Sequence, residues 1–140
     1  CAQEHDLLDM DRTVLENMAS SATDLNGTEM RKVLGSFLFT GDDVHKPAGV
    51  LSGGEKTRLA LATLVLSSAN VLLLDEPTNN LDPASRAQVL DAIGNFGGAI
   101  VLVTHDEGAV HALDPDRVLV LPDGTEDMWS ADYAELISLA

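Results

Sequence analysis

The order of apolar and polar positions divides the chain into a helical first part and a second part in which helices and strands alternate. Thr13 and Glu16 have the spacing of a capping box, which predicts a short helix ending near Ser20. Thr28 is the predicted cap of a second helix, whose apolar residues recur on one helical face. These residues are Met30, Val33, Leu34, Phe37 and Leu38. Loop-forming Gly and Pro residues follow, so we expect residues 1–50 to form a small helical subdomain.

Short apolar runs in the second part predict strands. The runs are Val71–Leu74, Ala99–Val103 and Val118–Leu121, with Glu126–Trp129 as a candidate hairpin partner of the third. Predicted helices begin at Gly53, at Pro83 after the cap Asp82, after Asp106 and after Ser130. Apolar strands that alternate with helices are typical of a mostly parallel sheet with helices on both faces. The predicted fold class is therefore α/β, with residues 51–140 containing the sheet.

The composition fits a folded domain and limits its partners. The 140 residues are 45% hydrophobic and carry a formal net charge of −15. This excess of acidic over basic residues disfavours non-specific binding to nucleic acid or to an anionic membrane surface. No apolar run approaches the roughly 20 residues of a membrane helix, so we expect no membrane insertion. The single cysteine excludes an internal disulfide, and we expect a cytoplasmic location.

Two predicted strands end in side chains that suit phosphate chemistry. Asp75 and Glu76 follow the first strand, and His105 follows the second. Ligands of parallel sheets collect at the carboxyl ends of the strands. Asp75 is a candidate magnesium ligand, Glu76 a candidate base for an attacking water, and His105 a candidate contact to a terminal phosphate. By itself, however, Asp75-Glu76 fits equally well as a cap of the loop after a buried strand.

A second candidate element is Leu51-Ser52-Gly53-Gly54-Glu55. Two glycines at a helix start let free backbone N–H groups approach an anion, and Ser52 adds a hydroxyl. A serine-capped helix that begins with glycine is also common, and alone that interpretation is sufficient. Arg58 follows Glu55 by three residues, which is the spacing of an ion pair on one helical face.

Together these segments resemble an ATP-binding cassette (ABC) ATPase. The matching segments are Leu51-Ser52-Gly53-Gly54-Glu55 for the signature, Val71–Thr78 for Walker B, Asn79–Asp82 for the D-loop, His105 for the switch histidine and Gln3 for the Q-loop glutamine. Glu55, where transporter cassettes usually have Gln, makes the chain similar to the second cassette of an ABC-F protein, from the Q-loop to the C-terminus. Asn80, where His is more usual, and Thr104-His105-Asp106-Glu107, where Ser-His-Asp-Arg is more usual, depart from that pattern.

The resemblance implies a composite site shared by two cassettes, with ATP and magnesium bound. It implies that Gln3, Asp75, Glu76 and His105 serve the ATP on their own cassette, Gln3 and Asp75 at the metal. Ser52, Gly53 and Gly54 would cap the ATP of the facing cassette, and Asp82 would lie at the interface. ABC-F proteins act on ribosomes, in translation or antibiotic resistance, so the implied partners are a second cassette and the ribosome.

The phosphate-binding loop G-x-x-x-x-G-K-[ST] does not occur in the sequence. We therefore expect a partial P-loop NTPase fold without its Walker A half. We also expect the chain alone to be inactive as an ATPase and to self-associate through an exposed sheet edge.

Three other functions stay open. The ATP-binding subunit of a membrane transporter is disfavoured by Glu55. An ATPase of the SMC type, from DNA repair or chromosome structure, is disfavoured because residues 10–50 lack long heptad coils. A non-catalytic interaction domain is disfavoured by the intact Asp75, Glu76 and His105.

Overall fold

The computed structural model describes residues 7–22 and 24–138, and the order of its elements agrees with the predicted order. The helices are α1 (Val14–Ser21), α2 (Gly27–Ser36), α3 (Gly53–Leu66), α4 (Pro83–Gly94), α5 (Glu107–Leu113) and α6 (Ala131–Ser138). The strands are β1 (Val71–Asp75), β2 (Ala99–Val103), β3 (Arg117–Val120) and β4 (Thr125–Met128). Two short 3-10 turns, Gly41–His45 and Ala48–Val50, connect α2 to α3.

The starts of the first two helices show how capping chemistry selects a residue. Thr13 and Glu16 form the predicted capping box of α1. The prediction for α2 was wrong, because Asn26 caps it and Thr28 lies inside the helix. The Asn26 side chain accepts hydrogen bonds from two backbone N–H groups, and Glu29 accepts the Asn26 N–H at 3.0 Å. Asn26 has a Glu three residues later and Thr28 does not, so only Asn26 completes the box.

The strands form two separate pairs. β1 and β2 are parallel, from Val71 opposite Ala99 to Asp75 opposite Val103. β3 and β4 form an antiparallel hairpin with its own register. The third predicted strand therefore pairs with its hairpin partner and does not extend the parallel sheet in the described residues.

One face of β1–β2 is covered and the other is open. Leu72 and Leu74 are buried in a core that also contains apolar residues of α1, α2, α3 and α4. On the other face, Val71 and Leu73 are 56% and 71% exposed, and Val101 and Val103 are exposed beside them. Among the described residues, helices thus cover one face of this sheet and not the predicted two. The open face agrees with the expectation for a partial cassette, while self-association stays a prediction.

The core is continuous from the helical part to the sheet. Val14, Met18, Leu34 and Phe37 belong to the same buried cluster as Leu59, Leu61 and Leu72. The helical part therefore fixes the position of α3 against the sheet. In residues 7–22 and 24–138, none of the helices is long and apolar enough to cross a bilayer.

Candidate functional site

Parallel pairing places Glu76 and His105 at the same edge of the sheet. Glu76 follows β1 directly, and its backbone N–H donates to the carbonyl of Val103 at 2.8 Å. The pairing thus continues one residue beyond β1. Glu76 has a φ of +47°, a left-handed conformation that is uncommon for a residue other than glycine. This conformation turns the chain away from the strand and lets the side chain face the segment after β2.

The Glu76 carboxylate is held by two neighbouring residues of that segment. Its Oε1 accepts the backbone N–H of His105 at 3.0 Å and lies 2.5 Å from His105 Nδ1. Its Oε2 accepts the Thr104 hydroxyl at 3.1 Å. The side chain of Glu76 is 23% exposed and that of His105 is 65% exposed. The site therefore combines a sheltered carboxylate with an accessible imidazole whose Nε2 is not used by this contact.

Asp75, the predicted magnesium ligand, is an exposed carboxylate at the carboxyl end of β1. It is the last residue of β1, is exposed, and makes no hydrogen bond or ion pair with another described residue. In the part of the chain that the structure describes, no group of three or more His, Cys, Asp and Glu side chains could hold a metal. Mg²⁺ is commonly bound by one or two carboxylates, with phosphate oxygens and waters completing its octahedron. A single free carboxylate such as that of Asp75 is compatible with this mode of binding, and its role at a metal stays a prediction.

The predicted signature segment begins α3 with a capping box of its own. The Ser52 hydroxyl accepts the Glu55 N–H at 3.3 Å, and Glu55 Oε2 accepts the Ser52 N–H at 2.8 Å. This hydrogen bond from the Ser52 backbone is the main reason that the pKa of Glu55 lies below its usual value. Glu55 therefore fixes the first turn of the helix that presents Ser52 and Gly53 to solvent.

The two signature glycines differ in what the fold requires of them. A Cβ atom on Gly54 would lie 3.0 Å from the carbonyl oxygen of Asn80, whereas one on Gly53 would meet no atom within 4 Å. Gly54 thus allows the first turn of α3 to approach the loop that contains Asn80. No hydrogen bond joins Ser52 or Gly53 to Glu76 or His105 in the described residues.

Asp82 is the N-cap of α4, as predicted. Its Oδ1 accepts the N–H groups of Ala84 and Ser85, and its Oδ2 accepts the Ser85 hydroxyl at 2.6 Å. These hydrogen bonds, led by the Ser85 hydroxyl, lower the pKa of Asp82. A further role of Asp82 at an interface stays a prediction, and Gln3 lies outside the described residues.

Arg58 does not form the predicted ion pair with Glu55. Its guanidinium Nη1 donates to the carbonyl oxygens of Phe37 and Leu38 at 3.3 and 3.4 Å, and it lies 5.3 Å from the centre of the Phe39 ring. The prediction was wrong because the end of α2 offers carbonyl groups and an aromatic face that the helical spacing does not reveal. Arg58 therefore fastens α3 to the end of α2.

Sequence reasoning missed four residues that are linked to Glu76, either directly or through one another. Asp106 Oδ2 accepts the Thr78 hydroxyl at 3.1 Å and forms an ion pair with Arg86 Nη1 at 3.2 Å. Thr104 joins this group through the Asp106 N–H, which donates to its hydroxyl at 3.0 Å. The positions of Thr78, Thr104 and Asp106 shortly after strand ends were a weak signal. Their contacts were not predictable, because Thr78 and Asp106 are 28 residues apart in the sequence.

Comparison with known proteins identifies the family of the chain. The family model of the ABC transporter matches residues 1–79, which is more than half of the chain. The chain belongs to the ABC family. It is 42% identical over 131 residues to the putative ATP-binding protein YdiF of Bacillus subtilis, covering 94% of this chain and 20% of that protein. It is 34% identical over 128 residues to ABC transporter F family member 5 of Arabidopsis thaliana, covering 91% of this chain and 18% of that protein.

The predicted resemblance to ABC-F proteins agrees with these relatives, one of which is a member of the ABC transporter F family, and the chain spans about a fifth of their length. Among solved structures, the chain is similar to the ATP-binding cassette MJ0796, described as a dimer in a post-hydrolysis state bound to ADP and Pi. The TM-score is 0.69 at 25% identity, over 90% of this cassette and 60% of that chain. The predicted partial P-loop NTPase fold is thereby confirmed.

We expect the two signature glycines to respond differently to alanine. Gly54→Ala lowers the free energy of unfolding by about 1–2 kcal/mol, because the new methyl group forces the Asn80 loop away. Gly53→Ala is the matched control and leaves stability unchanged or slightly raised, since its site is open and alanine favours helix. Chemical denaturation of both variants measures the difference. Equal stabilities would contradict the packing role of Gly54.

The capping box of α3 gives a pH-dependent contribution to stability. The pKa of Glu55 is lowered in the folded chain, so its contribution is complete above the unfolded pKa of about 4.5 and is lost as the pH falls through the lowered folded pKa. The melting temperature of Glu55→Gln is therefore below that of the wild type at pH 7, and the gap narrows below pH 4.5. Glu107→Gln, which alters an exposed first-turn Glu of α5, is the control. A gap that is independent of pH would count against this role of the carboxylate.

Proposed function

We propose that this cassette takes part in ATP hydrolysis at a composite site between two cassettes. The observation that carries the proposal is the contact between Glu76 and His105 at the carboxyl edge of β1–β2, with the free carboxylate of Asp75 next to it. A carboxylate held against an exposed imidazole suits a site that activates water beside a phosphate. The phosphates and the metal would lie above this edge, as ligands of parallel sheets do.

In this proposal each side chain at the edge has a separate role. Asp75 holds magnesium, directly or through water, and the bound ion would neutralise charge on the phosphates. Glu76 orients the attacking water and accepts its proton. His105 contacts the terminal phosphate through Nε2, because Nδ1 faces Glu76. Gln3 is the second proposed metal contact.

The signature segment would act on the facing cassette. Ser52 and Gly53 are exposed at the start of the 14-residue helix α3, where backbone N–H groups and the helix dipole favour an anion. Gly53 has no packing role that explains the absence of a side chain, which supports a close approach by a ligand. The similar cassette MJ0796 is described as a dimer, and this supports a second cassette as the partner. Asp82 would couple the two sites through α4.

We further propose that the complete protein acts on the ribosome in the cytoplasm, in translation or antibiotic resistance. The support is the ABC-F type of the relatives and Glu55 in the signature. A variant that keeps ATP bound would prolong such an encounter. Co-sedimentation of the complete Glu76→Gln protein with ribosomes in ATP, but not in ADP, would be the supporting result, and absence of co-sedimentation would count against the partner.

Replacing Glu76 tests the catalytic assignment. In the complete two-cassette protein, Glu76→Gln keeps the hydrogen-bonding shape but removes the base, so we expect kcat to fall about 100-fold or more. The measurement is release of inorganic phosphate at saturating ATP. Glu107→Gln makes the same chemical change at an exposed site near His105 and should retain activity. Normal turnover by Glu76→Gln would refute the assignment.

The 140-residue chain alone is expected to bind ATP weakly. Its sequence contains no phosphate loop G-x-x-x-x-G-K-[ST], so the backbone cradle and the lysine that hold the phosphates are lacking. Isothermal titration calorimetry with Mg-ATP should detect no binding in the micromolar range. A micromolar Kd would show that the described residues bind nucleotide without that loop.

A further inference from the structure

Glu76 is positioned by more than its contact with His105. Its Oε2 accepts the Thr104 hydroxyl at 3.1 Å, and the same hydroxyl accepts the Asp106 N–H at 3.0 Å. A hydroxyl has a single proton, and the N–H group of Asp106 occupies an acceptor position on the oxygen. The proton is therefore directed at Glu76. Thr104 holds one carboxylate oxygen while His105 holds the other.

Asp106 fixes the geometry of this hydroxyl. Its carboxylate accepts the Gly108 N–H at 2.9 Å through Oδ1, and it binds the Thr78 hydroxyl and Arg86 through Oδ2. The Thr78 side chain is buried and that of Asp106 is 18% exposed, so these contacts are largely sheltered from water. Three contacts hold the Asp106 side chain, and its backbone N–H is thereby held towards Thr104.

Asp106 is also connected to helix α4, which Asp82 caps. Arg86 lies on α4, and its backbone N–H donates to the carbonyl of Asp82 at 2.9 Å. Thr78 lies in the loop between Glu76 and α4. A series of contacts therefore runs from Glu76 through Thr104 and Asp106 to Arg86 in the first turns of α4, next to Asp82.

We propose that Thr104 is a positioning residue that sets the orientation of the Glu76 carboxylate, and that Asp106 holds Thr104 in place through Thr78 and Arg86. This inference rests on the proposed catalytic role of Glu76. With only His105 to hold it, the carboxylate could rotate about its terminal torsion, which is soft in Glu side chains. A second fixed oxygen removes that freedom before the substrate arrives, which is how an enzyme orients a base at low cost.

The first test compares two changes at position 104 in the complete two-cassette protein. Thr104→Val keeps the shape and removes the hydroxyl, so we expect kcat to fall about tenfold, the rate equivalent of one charge-assisted hydrogen bond. The KM for ATP should be unchanged, because Thr104 does not touch the nucleotide in this proposal. Thr104→Ser restores the hydroxyl and should retain kcat within about twofold of the wild type, as expected for a remaining donor. An unchanged kcat in Thr104→Val, or an equal loss in both variants, would overturn the inference.

The second test changes the anchor. Asp106→Asn keeps the size of the side chain but removes the charge opposite Arg86, so kcat should fall several-fold with KM unchanged. Asp91→Asn is the matched control, because Asp91 is exposed on α4, the helix of Arg86, and its side chain has no described partner. Normal kcat in Asp106→Asn would overturn the anchoring role. If Thr104→Val fails to fold, the comparison of Asp106→Asn with Asp91→Asn still tests whether these contacts position Glu76.

A structural measurement separates this inference from the proposed function. In the 140-residue chain, hydrogen exchange read by NMR should show faster exchange of the Asp106 amide in Thr104→Val than in Thr104→Ser, since only serine offers an acceptor. If Glu76→Gln retains turnover, the proposed function fails whatever the exchange shows. If Glu76→Gln is inactive but Thr104→Val is fully active, the positioning role alone fails.

Discussion

Parallel pairing of β1 with β2 is the constraint on which the candidate site depends. The register opposes Asp75 to Val103, and the Glu76 N–H continues the ladder to the Val103 carbonyl. Glu76 can therefore meet Thr104 and His105 only in this register. A slip of one residue would also move Leu72 and Leu74 from the buried face to the open one. Burial of these two leucines thus specifies the geometry of the polar edge.

The candidate residues around this edge are of two kinds. Some have their polar groups hydrogen-bonded within the fold, and others have no partner among the described residues. Both oxygens of Asp82 are used in capping α4, and Glu55 is used in capping α3. The Asp75 side chain has no hydrogen-bond partner among the described residues, and the space beside the Gly53 Cα atom is open. Groups with satisfied hydrogen bonds stabilise the chain, whereas free groups at a sheet edge or helix start are available to a ligand. This distinction supports the assignments of Asp75 and Gly53.

The open face of the sheet lies beside the same edge. Side chains alternate along a strand, so Asp75 points to the face that exposes Val71 and Leu73. The exposed Val71 and Leu73 side chains do not contribute the stabilisation that their burial would bring. Its one-sided core is held instead by α1 to α4 and by the contact of Arg58 with the end of α2. The geometry of the site therefore rests on a core formed from the helical part as well as from the strands.

The sequence by itself determined the order of elements, the strand ends at Asp75 and Val103, and the start of α3 after Ser52, because periodicity, caps and apolar runs are local properties. Local spacing misplaced the cap of α2 at Thr28, because Asn26 competes with it for the same role. It also paired Arg58 with Glu55, because the partners of Arg58 lie about 20 residues away in the sequence. Only the tertiary structure decided which residues meet Glu76 and which face of the sheet is covered. The side-chain contacts of Glu76 join residues 28 or 29 positions apart, and its partners are selected by strand register and core packing, which no local pattern encodes.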